Sequence, residues 1–214
     1  MLRKINKIRS FAALIMCLSS ANLLAQAIVN IEELRREGEI GFFTNVSAGL
    51  DASRGNRDRD YYKLRIRFDN NSEDAESFLI MQQTERKSND NVIDKSKFIH
   101  ARYILIGEDT THWEVFAQYS ENPFRNYKKR SVLGSGLRFE LSKSGRLGAG
   151  LLNEEETDLS GKSNTTERLG FYFHTDFDIA ENISFDPTIY FQPSIENFEK
   201  DYKASMILAL DFKV

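Results

Sequence analysis

The sequence predicts an all-β fold, an antiparallel up-and-down transmembrane β-barrel of about ten strands. Two patterns carry this prediction: apolar and polar residues alternate with a period of two from residue 39 onward, and the connections between these segments alternate between long and short. The mean hydropathy is -0.46, and no stretch beyond the first thirty residues approaches the roughly 20 consecutive apolar residues of a spanning helix, which excludes a helical membrane protein. It does not exclude a barrel, because only alternate residues of a barrel strand meet lipid.

The first 27 residues are predicted to be a secretory signal peptide. A basic region from Arg3 to Arg9 precedes a largely apolar run from Phe11 to Leu24, and Ala25-Gln26-Ala27 matches an A-x-A cleavage site. These three parts in this order are typical of an exported precursor. We therefore expect a short periplasmic segment over residues 28–38 and a barrel over residues 39–214.

Cleavage would change the charge and remove the single cysteine. Four of the 29 basic residues and none of the 32 acidic ones lie in the leader, so the formal net charge falls from -3 to -7. A chain this acidic offers no basic surface for nucleic acid. Without Cys17 the mature chain forms no disulfide and no cysteine-ligated metal site.

Ten segments fit a strand. The clearest places Tyr62, Leu64, Ile66 and Phe68 on one face and Lys63, Arg65 and Arg67 on the other, a separation of charge that a helix would not produce. The ten segments are residues 39–51, 61–69, 75–83, 99–105, 112–119, 133–141, 146–151, 168–179, 183–192 and 202–214. The faces of residues 75–83 stay unassigned, because both are apolar there.

The connections support a membrane barrel independently. Long predicted loops at 51–59, 85–97, 120–130, 153–167 and 193–201 alternate with short turns at 70–74, 107–111, 142–145 and 180–182. Outer-membrane barrels have long extracellular loops and short periplasmic turns. Tyr202 and Phe212 share the apolar parity, and their ten-residue separation corresponds to about 25 Å of height at a tilt of about 40°, the distance between two aromatic girdles.

The polar parity predicts the barrel interior. Its charged members are Lys63, Arg65, Arg67, Arg102, Glu114, Arg138, Glu140, Arg146, His174, Asp176, Asp178, Lys203 and Asp211. Mixed signs in a narrow lumen favour ion pairs that fill it, and about ten strands lie nearer to the filled eight-stranded barrels than to open porins. A narrow channel for small solutes or ions, involving Arg65 and Arg67, is the alternative.

No catalytic, cofactor or metal site is predicted. His174, Asp176 and Asp178 alternate on one strand face, so a carboxylate could orient the imidazole. No serine elbow accompanies them and they lie away from the predicted extracellular rim, so a lumenal salt-bridge ladder is the favoured interpretation. His100 and His112 lie on other strands without ligand spacing. The chain is therefore predicted not to be an enzyme, with a barrel hydrolase or a soluble periplasmic ligand-binding barrel as less favoured alternatives.

Two glycine pairs, Gly134/Gly136 and Gly148/Gly150, fall on adjacent strands with the inward parity. They do not precede a helix, so they are not a phosphate-binding loop. We expect them to make room for large inward side chains.

The stretch from Trp113 to Arg125, through Asn122-Pro123-Phe124, and the following Arg130 to Phe139 with Gly134 and Gly136 resemble the salt-induced outer-membrane protein family, a bacterial group of unknown function. The resemblance covers most of the mature chain. It implies a Gram-negative outer-membrane β-barrel and supplies no activity, cofactor or catalytic residue. The chain ends Phe212-Lys213-Val214, whereas such barrels usually end on an aromatic residue.

These observations predict an exported, monomeric outer-membrane protein with a structural or binding role in the envelope and a possible link to stress through the family. Its expected partners are outer-membrane lipids and the barrel assembly machinery. The sequence identifies no substrate, ligand or physiological role.

Overall fold

The computed structural model describes residues 40–107, 109–125 and 127–212, so the predicted signal peptide (1–27) and the segment 28–38 lie outside the described residues. Eleven antiparallel strands form one sheet. They are β1 (Gly41–Ser53), β2 (Arg59–Asn71), β3 (Ala75–Ser88), β4 (Asn91–Leu105), β5 (Thr111–Asn122), β6 (Tyr127–Glu140), β7 (Arg146–Asp158), β8 (Ser163–His174), β9 (Phe177–Ala180), β10 (Ile183–Pro193) and β11 (Tyr202–Phe212). Within these ranges no helix is long and apolar enough to cross a membrane.

The sheet is an up-and-down meander, which confirms the all-β antiparallel prediction. Its order is β1-β2-β3-β4-β5-β6-β7-β8-β10-β11, and β9 pairs with β10 next to β8. β8 and β9 therefore act as one interrupted strand, and the sheet is ten strands wide. The interruption lies opposite Pro187 of β10, which has no N–H to donate to the ladder.

Successive strands run in opposite directions, which gives the sheet two ends. We name the end at which β1 begins the proximal end and the opposite one the distal end. The distal connections are residues 54–58, 89–90, 123–126, 159–162 and 194–201, and the proximal ones include 72–74, 106–110 and 141–145.

The predicted length difference between the two sets of connections is wrong. Residues 85–97 and 153–167, expected as long loops, are the paired distal halves of β3–β4 and β7–β8, closed by a two-residue and a four-residue turn. Apart from Val92 and Ile93 in β4, both halves are polar on both faces, so no alternation marked them as strands. Their backbone ladder is supported by local contacts such as Lys95 to Glu85, 3.1 Å apart.

The two faces of the sheet differ in the predicted sense. Among the described residues, nineteen buried side chains are polar or charged and only eight are hydrophobic, whereas twenty-eight large hydrophobic side chains are exposed. We call the face that carries Arg67, Arg102 and Glu154 the inner face and the face that carries Leu133, Leu208 and Phe212 the outer face. The chain thus buries its polar parity and exposes its apolar one.

The sheet curves around its inner face. Lys203 of β11 contacts Glu154 of β7, although two strands lie between them, and Tyr172 of β8 donates a hydrogen bond to Glu114 of β5 at 3.4 Å. No ladder joins β1 to β11 within the described ranges.

Candidate functional site

The strongest concentration of charge lies on the inner face near the distal end, and we call it the ionic sector. Its centre is Glu154 of β7, which accepts hydrogen bonds from Arg130 Nε at 2.7 Å, Arg168 Nε at 3.1 Å and Lys203 Nζ at 2.6 Å. These cations come from β6, β8 and β11. One carboxylate therefore joins four strands.

The ionic sector is balanced in charge. Lys203 also contacts Glu156 at 2.9 Å, and Arg168 contacts Asp201 at 2.9 Å, so three carboxylates face three cations. Glu154 is only 2% exposed. Burying charges this deeply is costly unless every partner is present, so the sector holds its strands together only as a complete set.

Smaller ion pairs line the inner face closer to the proximal end. Arg102 of β4 contacts Glu114 of β5 at 3.0 Å, and both are buried. Arg67 and Asp69 form a second buried pair along β2. The prediction that inward charges pair is confirmed for these residues and for Lys203.

The inner face of β3, β4 and β5 is different, and we call it the aromatic sector. His100 is 0% exposed, and its ring stacks with those of Phe78, Phe98 and Phe116 at centroid distances of 5.6 to 6.1 Å. Arg102 also lies over the Phe116 ring, 4.9 Å from its centroid, a cation–π geometry. The alternation pattern did not predict an apolar patch inside the sheet.

The structure does not assemble the histidine cluster considered from sequence. His174 is buried and contacts Thr188 Oγ1 at 2.9 Å and Asp186 at 3.3 Å, both on β10. Asp176 and Asp178 are exposed, because the strand is interrupted after His174. The Thr188 hydroxyl is thus the hydrogen-bond partner of the imidazole, and the carboxylate beside it, Asp186, comes from across the ladder, which spacing along one strand does not reveal.

His112 has its own fixed partners. The Gly107 N–H donates to its Nδ1 at 3.1 Å, so Nε2 is the nitrogen that faces Glu140, at 3.2 Å. Glu140 also accepts from Arg138. His112 is therefore part of a structural pair at the proximal end.

Other sequence-predicted inward residues are less enclosed than expected. Glu140 and Asp211 are exposed, and Lys63 and Arg65 are half-buried. Conversely, Arg130 and Glu154 are buried, although the sequence reasoning placed them in loops. For Glu154, the available signal was the parity of the predicted strand 146–151, which places residue 154 on the inner face if the strand is extended to it.

The glycine prediction is confirmed at two positions. A Cβ at Gly134 would lie 2.4 Å from the Phe116 ring, and one at Gly148 would lie 1.8 Å from the Tyr172 ring. Gly136 and Gly150 are direct cross-strand partners. A Cβ at Gly136 would lie 2.5 Å from the Ala149 carbonyl oxygen, so these two glycines allow the sheet to bend sharply.

Little free space remains beside these glycines. A cavity of about 50 Å³ lies among Arg102, Glu114, Tyr172, Tyr190 and the glycines opposite them, room for a few water molecules. Within the described ranges, no group of three or more His, Cys, Asp or Glu side chains is placed to hold a metal ion.

The inner face is more open at the distal end of the sheet. A depression of about 370 Å³ extends from the ionic sector to the 159–162 turn. There the Ser160 hydroxyl and the backbone N–H of Lys162 donate to Asp158 and hold the pKa of its carboxyl below the usual range. The turn is thus tied to the end of β7.

A sheet with an apolar outer face and an ion-paired inner face defines a class of all-β proteins in which the usual order of burial is reversed. The chain matches the family described as "Protein of unknown function, DUF481" over residues 46–214 and belongs to it. No curated protein matches the chain.

Proposed function

We propose that the protein is a closed ten-stranded β-barrel of the bacterial outer membrane with a largely side-chain-filled interior. The observation that carries the proposal is the reversed burial. Leu208 and Phe212 are 55% and 63% exposed, whereas Arg168 and Glu154 are 3% and 2% exposed. In water this arrangement would be unfavourable on both faces; in a bilayer it is the expected one.

The strand lengths suit this environment. The ten long strands have 11 to 15 residues, and a tilted strand needs about 9 to 11 to cross a bilayer. Tyr202 and Phe212 both lie on the exposed face of β11, as two aromatic girdles require. The distal halves of β3–β4 and β7–β8 would then stand above the membrane, outside the cell.

The stagger between strands supports closure. One row of paired inner residues starts at Phe43, near the proximal end of β1, and ends at Ser194, beyond the distal end of β10. If β1 pairs with β11, this row returns to β1 about ten to twelve residues away from the residue at which it started. With about 3.3 Å per residue and 4.8 Å between strands, that shift gives a tilt of about 35 to 40°, within the range of closed barrels.

The interior supports a structural or binding role in the envelope. The cavity beside Tyr172 is small. In the ionic sector, side chains from β6 and β11 meet at Glu154 and so occupy the interior between these strands. We infer that the barrel acts as a monomer, is inserted by the barrel assembly machinery, contacts outer-membrane lipids, and belongs with the salt-induced outer-membrane proteins within its family.

Fractionation and heat-modifiable electrophoresis test the location. The mature protein should be recovered with the outer membrane and should migrate faster before boiling than after it. The variant Leu208→Arg places a charge near the middle of the outer face and should make the free energy of folding into lipid less favourable by about 2 to 4 kcal/mol. Glu155→Arg, on the polar distal part of β7, is the control and should fold normally. Recovery as a soluble periplasmic protein would refute the proposal.

Planar-bilayer recordings separate the filled barrel from the narrow channel. The proposal predicts no discrete conductance over a range of salts. Discrete conductance that changes when Arg65 or Arg67 is replaced by Gln would show a channel, because these inner-face cations would then line the permeation path.

A further inference from the structure

The outer face carries a row of charged side chains between β4 and β6. Lys97, Glu121 and Lys129 are direct cross-strand partners. Lys97 Nζ lies 3.0 Å from Glu121, and about half of the Lys97 side chain remains exposed. Lys129 is exposed as well. The row therefore presents a net positive charge outward.

This row marks the distal limit of the apolar outer face. Four residues toward the proximal end, the same three strands carry Ala101, Ala117 and Leu133, which are also cross-strand partners. That distance is about 13 Å along the strands. Charged side chains immediately above an apolar surface lie at the level of lipid headgroups when the strands cross a bilayer.

The two alanines create a trough. Ala101 and Ala117 lie side by side between larger neighbours, and the depression has a volume of about 400 Å³. Its outer-face lining is largely apolar, from Phe42, Phe68, Leu79, Tyr103, Val115 and Leu133, with the polar Asn70 and Ser77 on its proximal side. A largely apolar trough is shaped for a hydrocarbon chain, and Lys97 and Lys129 lie four residues distal to its Ala101 and Leu133.

We propose that this surface is a binding site for a membrane lipid with a phosphate-bearing headgroup. One acyl chain lies in the Ala101/Ala117 trough, and the phosphate lies between Lys97 and Lys129. Glu121 holds Lys97 in place and limits the net charge of the row. The proposal rests on the membrane location proposed above.

Charge complementarity favours this occupant over a second copy of the chain. On the next two strands the cross-strand partners that continue the row are the uncharged Thr157 and Ser163, and the nearest charged outer residues are the exposed Glu155 and Glu167. The basic row is thus confined to one side of the barrel, as expected for a local site and not for a uniform ring of headgroup contacts. Phosphate groups attract clustered lysines at a membrane surface.

Native mass spectrometry of the delipidated protein in an uncharged detergent tests the site. The probes are phosphatidic acid, phosphatidylcholine with the same two acyl chains, and glycerol 3-phosphate. The protein should retain phosphatidic acid in preference to phosphatidylcholine and should not retain glycerol 3-phosphate.

Variants separate the two halves of the site. Lys97→Gln with Lys129→Gln should weaken retention of phosphatidic acid about tenfold, and Glu121→Gln should strengthen it. Ala101→Leu should weaken retention of both lipids by filling the trough. Lys143→Gln with Lys200→Gln removes two exposed lysines elsewhere and should change nothing. Heat-modifiable migration of each variant shows that it is folded.

Equal retention by the wild type and the Lys97/Lys129 variant would overturn the proposal, as would binding of glycerol 3-phosphate alone or dimers without lipid. Because the measurement is made in detergent, its failure is distinct from that of the membrane location. A protein recovered with the outer membrane but without lipid preference would refute only the lipid site.

Discussion

The ionic sector and the aromatic sector occupy the same inner face and stabilise it differently. In the first, Glu154 joins three cations from different strands; in the second, His100 lies among three phenylalanine rings. The ionic contacts are specific and mutually dependent, whereas the aromatic contacts depend on shape and area. One face of one sheet thus combines a polar network with a small hydrophobic core.

The largest expected effect is at the centre of the ionic sector. Glu154→Gln leaves Arg130, Arg168 and Lys203 without their shared carboxylate, and we expect a loss of about 3 to 5 kcal/mol in the free energy of unfolding. Denaturant titration followed by fluorescence of Trp113 measures it. Glu155→Gln, the exposed neighbour on the other face, should stay within about 0.5 kcal/mol. Equal effects at the two positions would show that the network does not stabilise the sheet.

A smaller effect is expected at Gly148, where the absence of a side chain leaves space for the Tyr172 ring. Gly148→Ala would place its Cβ against the Tyr172 ring, which is held by Tyr190 and Glu114, and should cost about 1 to 3 kcal/mol. Gly49→Ala is the matched control, since its nearest neighbour would be Lys63 Cβ at 4.0 Å. The same titration checks both variants, and an unaffected Gly148→Ala would mean that the ring moves freely.

The smallest effect is expected in the aromatic sector. His100→Phe replaces a buried polar ring with an apolar ring of similar size, and we expect no loss of stability and a gain of up to about 1 kcal/mol. The variant is compared with the wild type by the same denaturant midpoint. A loss comparable to that of Glu154→Gln would show that the imidazole makes an essential polar contact.

The sequence predicted the fold well where alternation was strong. β2 and β11 carry their apolar and polar residues on opposite faces as expected. It failed at the distal halves of β3–β4 and β7–β8, because they carry few apolar residues on either face and so leave no period-two signal. It also missed the interruption between β8 and β9, which depends on Pro187 in the neighbouring strand.

The site was predictable only in outline. Alternation indicated that Arg102, Glu114 and Lys203 face inward, and the glycine pairs indicated close packing. It could not indicate that Lys203 meets Glu154, since this contact depends on the curvature of the sheet across β8 and β10. Nor could alternation show that His174 contacts Thr188 and Asp186, because cross-strand register is set by turns and ladders.

By itself, the sequence determined which side chains share a face and that one face is apolar, because successive strand residues point to opposite sides whatever the fold. Only the tertiary structure decided which face is enclosed and which charges meet there. Curvature brings distant strands together on one side of the sheet, and the glycines at positions 136 and 150 permit that curvature.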